Sequence, residues 1–117
     1  MRSLGLRRRG FRDWRRDLRV RVEIEAELND TQCSLEDISI GGARIAMQRA
    51  SAPRLGDPVQ LTFTLSERGH SLYGVVIRSG DDGLQSAIGV AFAGGQPEAM
   101  DLLAAAIHDL TTTAAAC

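Results

Sequence analysis

At 117 residues, the chain is long enough for one small domain with a single core and too short for a second. Its hydrophobic share of 44% and charged share of 25% are typical of globular proteins and exclude disorder of the whole chain. The formal net charge is −1, yet residues 1–21 hold nine arginines and two aspartates, whereas the remainder holds five arginines and thirteen acids. This split of +7 against −8 indicates a basic arm that meets an anion, attached to an acidic body. Composition alone leaves open the alternative that the charged arm only keeps the protein in solution.

Cysteine content and hydropathy indicate the cellular compartment of the protein. Cys33 and Cys117 are too few and too far apart for a disulfide framework or a metal quartet, which favours a reducing cytoplasm and a core position for Cys33. No run approaches the ~18 consecutive apolar residues of a membrane span. We therefore expect a cytoplasmic protein without membrane insertion.

The first half of the chain reads as short strands. Residues Val20 to Leu28 alternate apolar and charged, which predicts a strand with one buried face. In residues 32–40 the apolar parity changes between Leu35 and Ile38. Such a change is typical of a β-bulge and would turn Asp37 and Ser39 together away from the core.

Further strands follow Gly41 and Gly42. Apolar residues alternate with polar or small ones in residues 43–47, 58–65 and 86–92, which predicts three strands. Residues 67–70 are predicted to form a hairpin connection, which places His70 in a turn. The strand at residues 72–78 is predicted to point Tyr73, Val75 and Ile77 inward.

The period changes after Gly95. Pro97 and Glu98 suit a first helical turn, and an apolar stripe at helical spacing predicts a helix that ends near Leu110; its members are Met100, Leu103, Ile107 and Leu110. The pattern predicts a mainly β domain, a small antiparallel barrel of about six strands with a C-terminal α-helix that covers one end. We assign residues 1–14 to a flexible basic N-terminal arm, 15–110 to the barrel with its helix, and 111–117 to a disordered tail.

Residues suited to catalysis are sparse. His70 falls in the predicted turn, and His108 lies off the apolar stripe. Neither has a partner at the spacing of a metal site or a catalytic triad. The sequence predicts no catalytic residue, no metal site and no enzymatic activity.

Two short motifs stand out in their order. Arg15-x-x-x-Arg19, with Arg16 inside it, opens the first strand, and Asp37-x-Ser39-x-x-Gly42 closes the second. From Arg15 to Phe92 the chain resembles the PilZ family of cyclic di-GMP receptors, whose signature is R-x-x-x-R followed by [D/N]-x-S-x-x-G. The GVAF that ends the last strand also resembles that family. The fold expected from the resemblance is a PilZ-like β-barrel.

The resemblance implies a ligand and the residues that bind it. Cyclic di-GMP has two phosphates and two guanines; arginine forks bind phosphate oxygens or guanine O6 and N7 in pairs, and a carboxylate accepts guanine N–H bonds. The implied contacts are Arg15, Arg16, Arg19, Asp37, Ser39, Gly41 and Gly42, with Trp14, Arg12 and Arg44 as secondary contacts. No other cofactor is implied. Without the arginine motif, Asp37 and Ser39 would be read as a strand-end turn bonded to its own backbone.

The function implied is that of a receptor and effector. Ligand would change the conformation of the N-terminal arm and signal to an unidentified partner protein in motility, exopolysaccharide or virulence control. In the family that the chain resembles, the residue before the arginine motif is linked to the number of ligand molecules bound, and a bulky Trp14 there implies one. We expect a monomer or weak dimer.

The sequence is also compatible with two alternatives. A basic-armed barrel could bind RNA or DNA, although the body is acidic and lacks an exposed aromatic platform. The second alternative is a protein-interaction adaptor that has the same fold but does not bind nucleotide. The intact motifs are evidence against it.

Overall fold

Six antiparallel strands form a closed barrel in the computed structural model, which describes residues 19–116. The strand order around the barrel is β1-β2-β3-β6-β5-β4, and β1 closes it by pairing with β4. The strands are β1 Val20–Leu28, β2 Thr31–Ile38, β3 Gly42–Gln48, β4 Pro58–Leu65, β5 Arg68–Asp82 and β6 Gln85–Phe92, and helix α1 spans Pro97–Ala116. The predicted mainly β barrel with a C-terminal helix is confirmed.

Alternating side chains fill the barrel as the sequence predicts in most strands. In β4, Val59, Leu61, Phe63 and Leu65 are all buried, and the residues between them are exposed or half-buried. The inward residues of β1, β3 and β6 join the same core, which also contains Cys33, Leu35 and Ile38 of β2. Burial of this apolar surface is the main stabilising term for so small a domain.

The predicted irregularity in β2 is present. The pairing of β2 with β3 shifts register between Leu35 and Asp37, and both Leu35 and Ile38 point inward on either side of that bulge. The bulge turns Asp37 outward, but Ser39 is buried with a 3% exposed fraction. The prediction that Asp37 and Ser39 point together away from the core was therefore wrong for Ser39.

Strand β5 differs from the prediction in parity. Tyr73 and Ile77 are 58% and 54% exposed, and Val75 also faces outward, whereas Leu72 and Val76 are buried. Cross-strand partners share a face of the sheet, and Leu61 pairs with Leu72 while Val59 pairs with Gly74. The register with β4 therefore places Leu72, Gly74 and Val76 inside.

The same register buries His70. His70 of β5 pairs with Phe63 of β4, and the two rings stack with their centroids 5.1 Å apart. The hairpin turn lies earlier than predicted, at Ser66 and Glu67, whose φ angles are +54° and +64°. The placement of His70 in a solvated turn was wrong.

Helix α1 packs against β5 and β1. Leu103, Ala106 and Ile107 are buried and belong to the same core cluster as the strands, and Met100 and Leu110 pack at its margin. The helix continues through Ala116, six residues beyond Leu110, so the tail predicted from residue 111 is helical up to that point. Within residues 19–116, no helix is both long and apolar enough to span a membrane.

Candidate ligand-binding site

A groove of about 740 Å³ lies on the outer surface of the barrel. Arg19, Asp37, Arg44 and Arg78 supply its charged groups, and Leu55 and Ile77 are the exposed apolar side chains on its wall. Its volume is within the range of small-molecule sites. Three guanidinium groups and one carboxylate make the groove basic, although residues 22–117 as a whole are acidic.

Strand register brings these charges together from distant parts of the sequence. Asp37 of β2 pairs with Arg44 of β3, Arg44 pairs with Gly89 of β6, and Gly89 pairs with Arg78 of β5. Directly paired residues point to the same face, and neighbouring strands lie about 4.8 Å apart. One row across four strands therefore presents an acid, two arginines and a glycine to solvent.

Arg19 and Asp37 join the two sequence motifs physically. Nη1 of Arg19 donates a hydrogen bond of 2.8 Å to Oδ1 of Asp37, with 57% and 18% of the respective side chains exposed. The pair lies at the groove, between the segment that precedes β1 and the end of β2. The structure thus brings together Arg19 of the first motif and Asp37 of the second.

Ser39 braces the connection between β2 and β3. Its hydroxyl donates to the Gly42 carbonyl and accepts from the Gly42 N–H, both at 3.2 Å, and the Ser39 N–H donates to the same carbonyl at 2.8 Å. The carbonyl of Gly41 accepts a 2.9 Å bond from the Phe92 N–H of β6. Ser39 therefore bonds its own backbone, as the strand-end alternative anticipated.

Gly42 is required by close packing of two strands. A Cβ on Gly42 would lie 2.2 Å from the carbonyl oxygen of Val90 in β6, and Gly42 does not have a positive φ. Any side chain there would force β3 away from β6. The glycine of the second motif thus sets how closely β3 packs beside the groove.

Arg44, predicted as a secondary ligand contact, lines the groove. Its Nε lies 3.6 Å from Oε1 of Glu36, and both side chains are largely exposed, at 61% and 42%. An exposed pair at this distance is held weakly, so the guanidinium of Arg44 is free to turn toward a ligand.

Four predicted contacts lie outside the described residues: Arg12, Trp14, Arg15 and Arg16. Conversely, sequence reasoning missed Arg78, Gly89, Leu55 and Ile77 as groove residues. Ile77 was assigned to the core because the parity of β5 was misread. Only the pairing of β5 with β6 reveals that Arg78 faces the same groove as Asp37.

Chemistry outside the groove is limited in the described residues. Among the side chains that the structure describes, no group of three or more His, Cys, Asp and Glu is placed to hold a metal ion. Nε2 of the buried His70 lies 3.3 Å from the Leu65 carbonyl, and its Nδ1 has no partner. Burial, with a smaller contribution from Glu27, raises the pKa of the Cys33 thiol to about 11, which keeps the thiol protonated and unreactive. The groove is thus the site best suited to hold a ligand.

The chain matches a known protein family. The family model described as the PilZ domain matches residues 6–109 of the chain, which includes both motifs, all six strands and most of α1. No curated protein matches the chain.

Solved structures share the fold at low sequence identity. An inhibitor of motility from Bacillus subtilis, MotI/DgrA, aligns with a TM-score of 0.66 and 14% identity over 81% of this chain, which spans only 50% of that protein's chain. The PilZ domain of CeSA from a cellulose-synthesizing bacterium aligns with a TM-score of 0.60 and 19% identity over 79% of this chain and 97% of its own. An uncharacterised Legionella protein aligns with a TM-score of 0.61 and 21% identity over 82% of this chain and 96% of its own.

Proposed function

The chain belongs to the PilZ domain family, and on that premise we propose that it is a cyclic di-GMP receptor that signals to a partner protein through its N-terminal arm. PilZ domains are in general non-catalytic binding domains, and their family binds cyclic di-GMP as a ligand without a known metal cofactor. The observation that carries the proposal is the contact of Arg19 with Asp37 in an arginine-lined groove.

The groove has the complementary chemistry that a guanine dinucleotide needs. Guanidinium forks bind phosphate oxygens, or guanine O6 and N7, with two hydrogen bonds each. The N1–H and amino group of guanine are donors that arginine cannot satisfy, and Asp37 supplies a carboxylate acceptor at the groove. Arg19 and Asp37 form an ion pair before ligand binds. The ligand therefore replaces this ion pair with its own hydrogen bonds to the two side chains, and neither charge has to lose a full hydration shell on binding.

The arm joins the groove at Arg19. Arg15 lies four residues before Arg19 in the chain, a distance of at most ~14 Å when extended. Arg15 and Arg16, with Arg12 and Trp14 beside them, are therefore within reach of a ligand bound at Asp37. In the proposed mechanism these residues close over the ligand from the arm side, and the conformation of the arm changes between the free and the bound protein.

The changed arm is the proposed signal. A partner protein that binds the arm in its ligand-bound conformation would respond to the concentration of cyclic di-GMP in the cytoplasm. Motility, exopolysaccharide synthesis and virulence control are the candidate pathways. Two proteins of the same fold are named as an inhibitor of motility and as a domain from a cellulose-synthesizing bacterium.

Calorimetric titration of the wild-type chain with cyclic di-GMP tests the proposal, with Trp14 fluorescence as a second readout from the arm. We expect saturable binding at micromolar ligand or below, a fluorescence change with the same midpoint, and neither signal with GMP. Absence of heat and of fluorescence change with cyclic di-GMP would refute the proposal. Equal affinity for a random oligonucleotide, falling steeply with salt, would favour the nucleic-acid alternative.

A further inference from the structure

Arg78 lies across Gly89 on the floor of the groove. A Cβ built on Gly89 would be 3.1, 3.6 and 3.8 Å from Cβ, Cγ and Cδ of Arg78, and these are the nearest atoms that it would meet. Three successive carbons at nearly constant distance mean that the stem of Arg78 follows the sheet surface over β6. The missing side chain of Gly89 provides the room for this course.

The guanidinium of Arg78 has no protein partner in the described part of the chain. Neither a hydrogen bond nor an ion pair joins it to any of the side chains that the structure describes, which exclude those of Asp82 and residues 112–116. It nevertheless lines the same groove as Arg19, Arg44 and Asp37. Arg19 and Arg44 each have a carboxylate beside them, Asp37 and Glu36, whereas Arg78 has no described carboxylate partner. Its guanidinium is therefore available to phosphate oxygens or to the acceptor atoms of a guanine.

Distance separates Arg78 from the residues of the two motifs. Arg78 and Asp37 lie three strands apart in the row, so their backbones are about 14 Å apart along the sheet. A guanine bound at Asp37 lies at the β2 end of this row, whereas Arg78 extends from its β5 end. A ligand with two bases joined by a ring can contact both.

We propose that Arg78, positioned by Gly89, stacks on and hydrogen-bonds to the second guanine of the cyclic dinucleotide whose first guanine binds at Asp37. The inference rests on the proposed function, since it assigns a further contact within the same site. The Arg78 guanidinium at the end of this stem belongs to an exposed side chain at the groove, and arginine planes stack on nucleobases. Gly89 contributes as a positioning residue, because a Cβ there would lie 3.1 Å from Cβ of Arg78 and would press on the stem.

Cyclic di-GMP titration of variants tests this assignment, with Arg68→Ala as the matched control. Arg68 is an exposed arginine of the same strand that does not line the groove. We expect Arg78→Ala to weaken binding roughly 5- to 150-fold, the range for losing one bidentate or stacking contact to a base. Arg78→Lys keeps the positive charge but lacks the planar guanidinium, so it should weaken binding nearly as much as Arg78→Ala.

A double-mutant cycle tests the role of Gly89. Gly89→Ala should weaken binding in the wild-type background and have little further effect in Arg78→Ala, because it acts by displacing the arginine stem. Gly69→Ala is its control, since a Cβ there meets nothing within 4 Å. Should Gly89→Ala not fold, the two Arg78 variants still decide the contact.

The outcomes separate this inference from the function on which it rests. Wild-type affinity in Arg78→Ala, or full affinity in Arg78→Lys, would overturn the stacking assignment while the receptor function stands. Additive effects of Gly89→Ala and Arg78→Ala would overturn the positioning role of Gly89. If the wild-type chain itself fails to bind cyclic di-GMP, the proposed function fails with it.

Discussion

Arg19 and Asp37 form a 2.8 Å ion pair that joins residues 18 positions apart at the groove. The contact links Arg19 of one motif to Asp37 of the other, although the two motifs are separate in sequence. Its position on the barrel surface, with 57% of the Arg19 side chain exposed, means that its contribution to folding is small. Its role is therefore expected to lie in ligand binding, and the two effects can be separated by mutation.

Replacement of either partner of this pair should weaken ligand binding and leave the fold intact. Arg19→Ala and Asp37→Ala are each expected to reduce cyclic di-GMP affinity by about 1–3 kcal/mol, through loss of contacts to phosphate or base. The free energy of unfolding should change by no more than about 1 kcal/mol. Calorimetric titration and urea unfolding of the same samples provide both numbers.

Arg49→Ala is the matched control for that prediction. Arg49 forms a comparable exposed ion pair, with its Nε 3.3 Å from Asp81, and it is not a groove residue. Its removal should change neither affinity nor stability measurably. A marked drop in thermal stability for Arg19→Ala would show that the ion pair is structural and that our assignment is wrong.

Ser39→Ala should destabilise the protein. The hydroxyl is buried and serves both the N–H and the carbonyl of Gly42, so its loss leaves buried backbone polar groups with fewer partners. Such a loss costs about 1–3 kcal/mol, measurable as a lower urea midpoint. Ser34→Ala, at an exposed position of β2, is the control. Unchanged stability together with lost affinity would mean that the hydroxyl serves the ligand and not the turn.

Gly42→Ala should be more damaging than Ser39→Ala. The new methyl would lie 2.2 Å from the Val90 carbonyl oxygen, and a backbone atom cannot move aside as a flexible side chain can. We expect a loss of about 3 kcal/mol or more, seen as loss of the cooperative unfolding transition or of the β-sheet circular dichroism signal. Gly69→Ala, with open space around the new methyl, should fold normally. A stable, fully folded Gly42→Ala protein would refute this packing role.

Stability should fall with rising pH between about 9 and 11 because of Cys33. Its thiol has a pKa of about 11 in the folded barrel against 9.0 as the ordinary value, since burial disfavours the thiolate. Above pH 9 the unfolded chain loses this proton while the folded chain retains it, so ionisation favours unfolding. Urea unfolding of wild type and Cys33→Ala at several pH values checks the prediction. Parallel pH profiles for the two proteins would contradict it.

The strands with one clearly apolar parity could be predicted because burial decides them locally. In β3 and β4 large apolar residues occupy one parity and polar residues dominate the other, so a single arrangement buries the apolar surface. The bulge in β2 was also visible, since Leu35 and Ile38 cannot both face inward on a regular strand. The outward direction of Asp37 at the end of β2 followed from that parity change.

Strand β5 could not be predicted in the same way. Both of its faces include apolar residues, with Leu72 and Val76 on one and Tyr73, Val75 and Ile77 on the other. Apolar bulk alone favours the wrong face. The pairing of β5 with β4 decides the parity, and close packing excludes a side chain at the inward Gly74, where a Cβ would lie 2.4 Å from the Ala91 carbonyl oxygen.

By itself the sequence determined the kind of barrel, the bulge before Ser39 and the two motifs that carry Arg19 and Asp37, because these depend on side-chain periodicity and on residues close together in the chain. Only the tertiary structure decided that Ser39 faces inward to hold Gly42, and that Arg78 lies across Gly89 in the same groove as Asp37. These relationships depend on strand register and on the space left by a missing side chain. Both arise when strands from distant parts of the chain pack at fixed spacing, and neither has a local signal in the sequence.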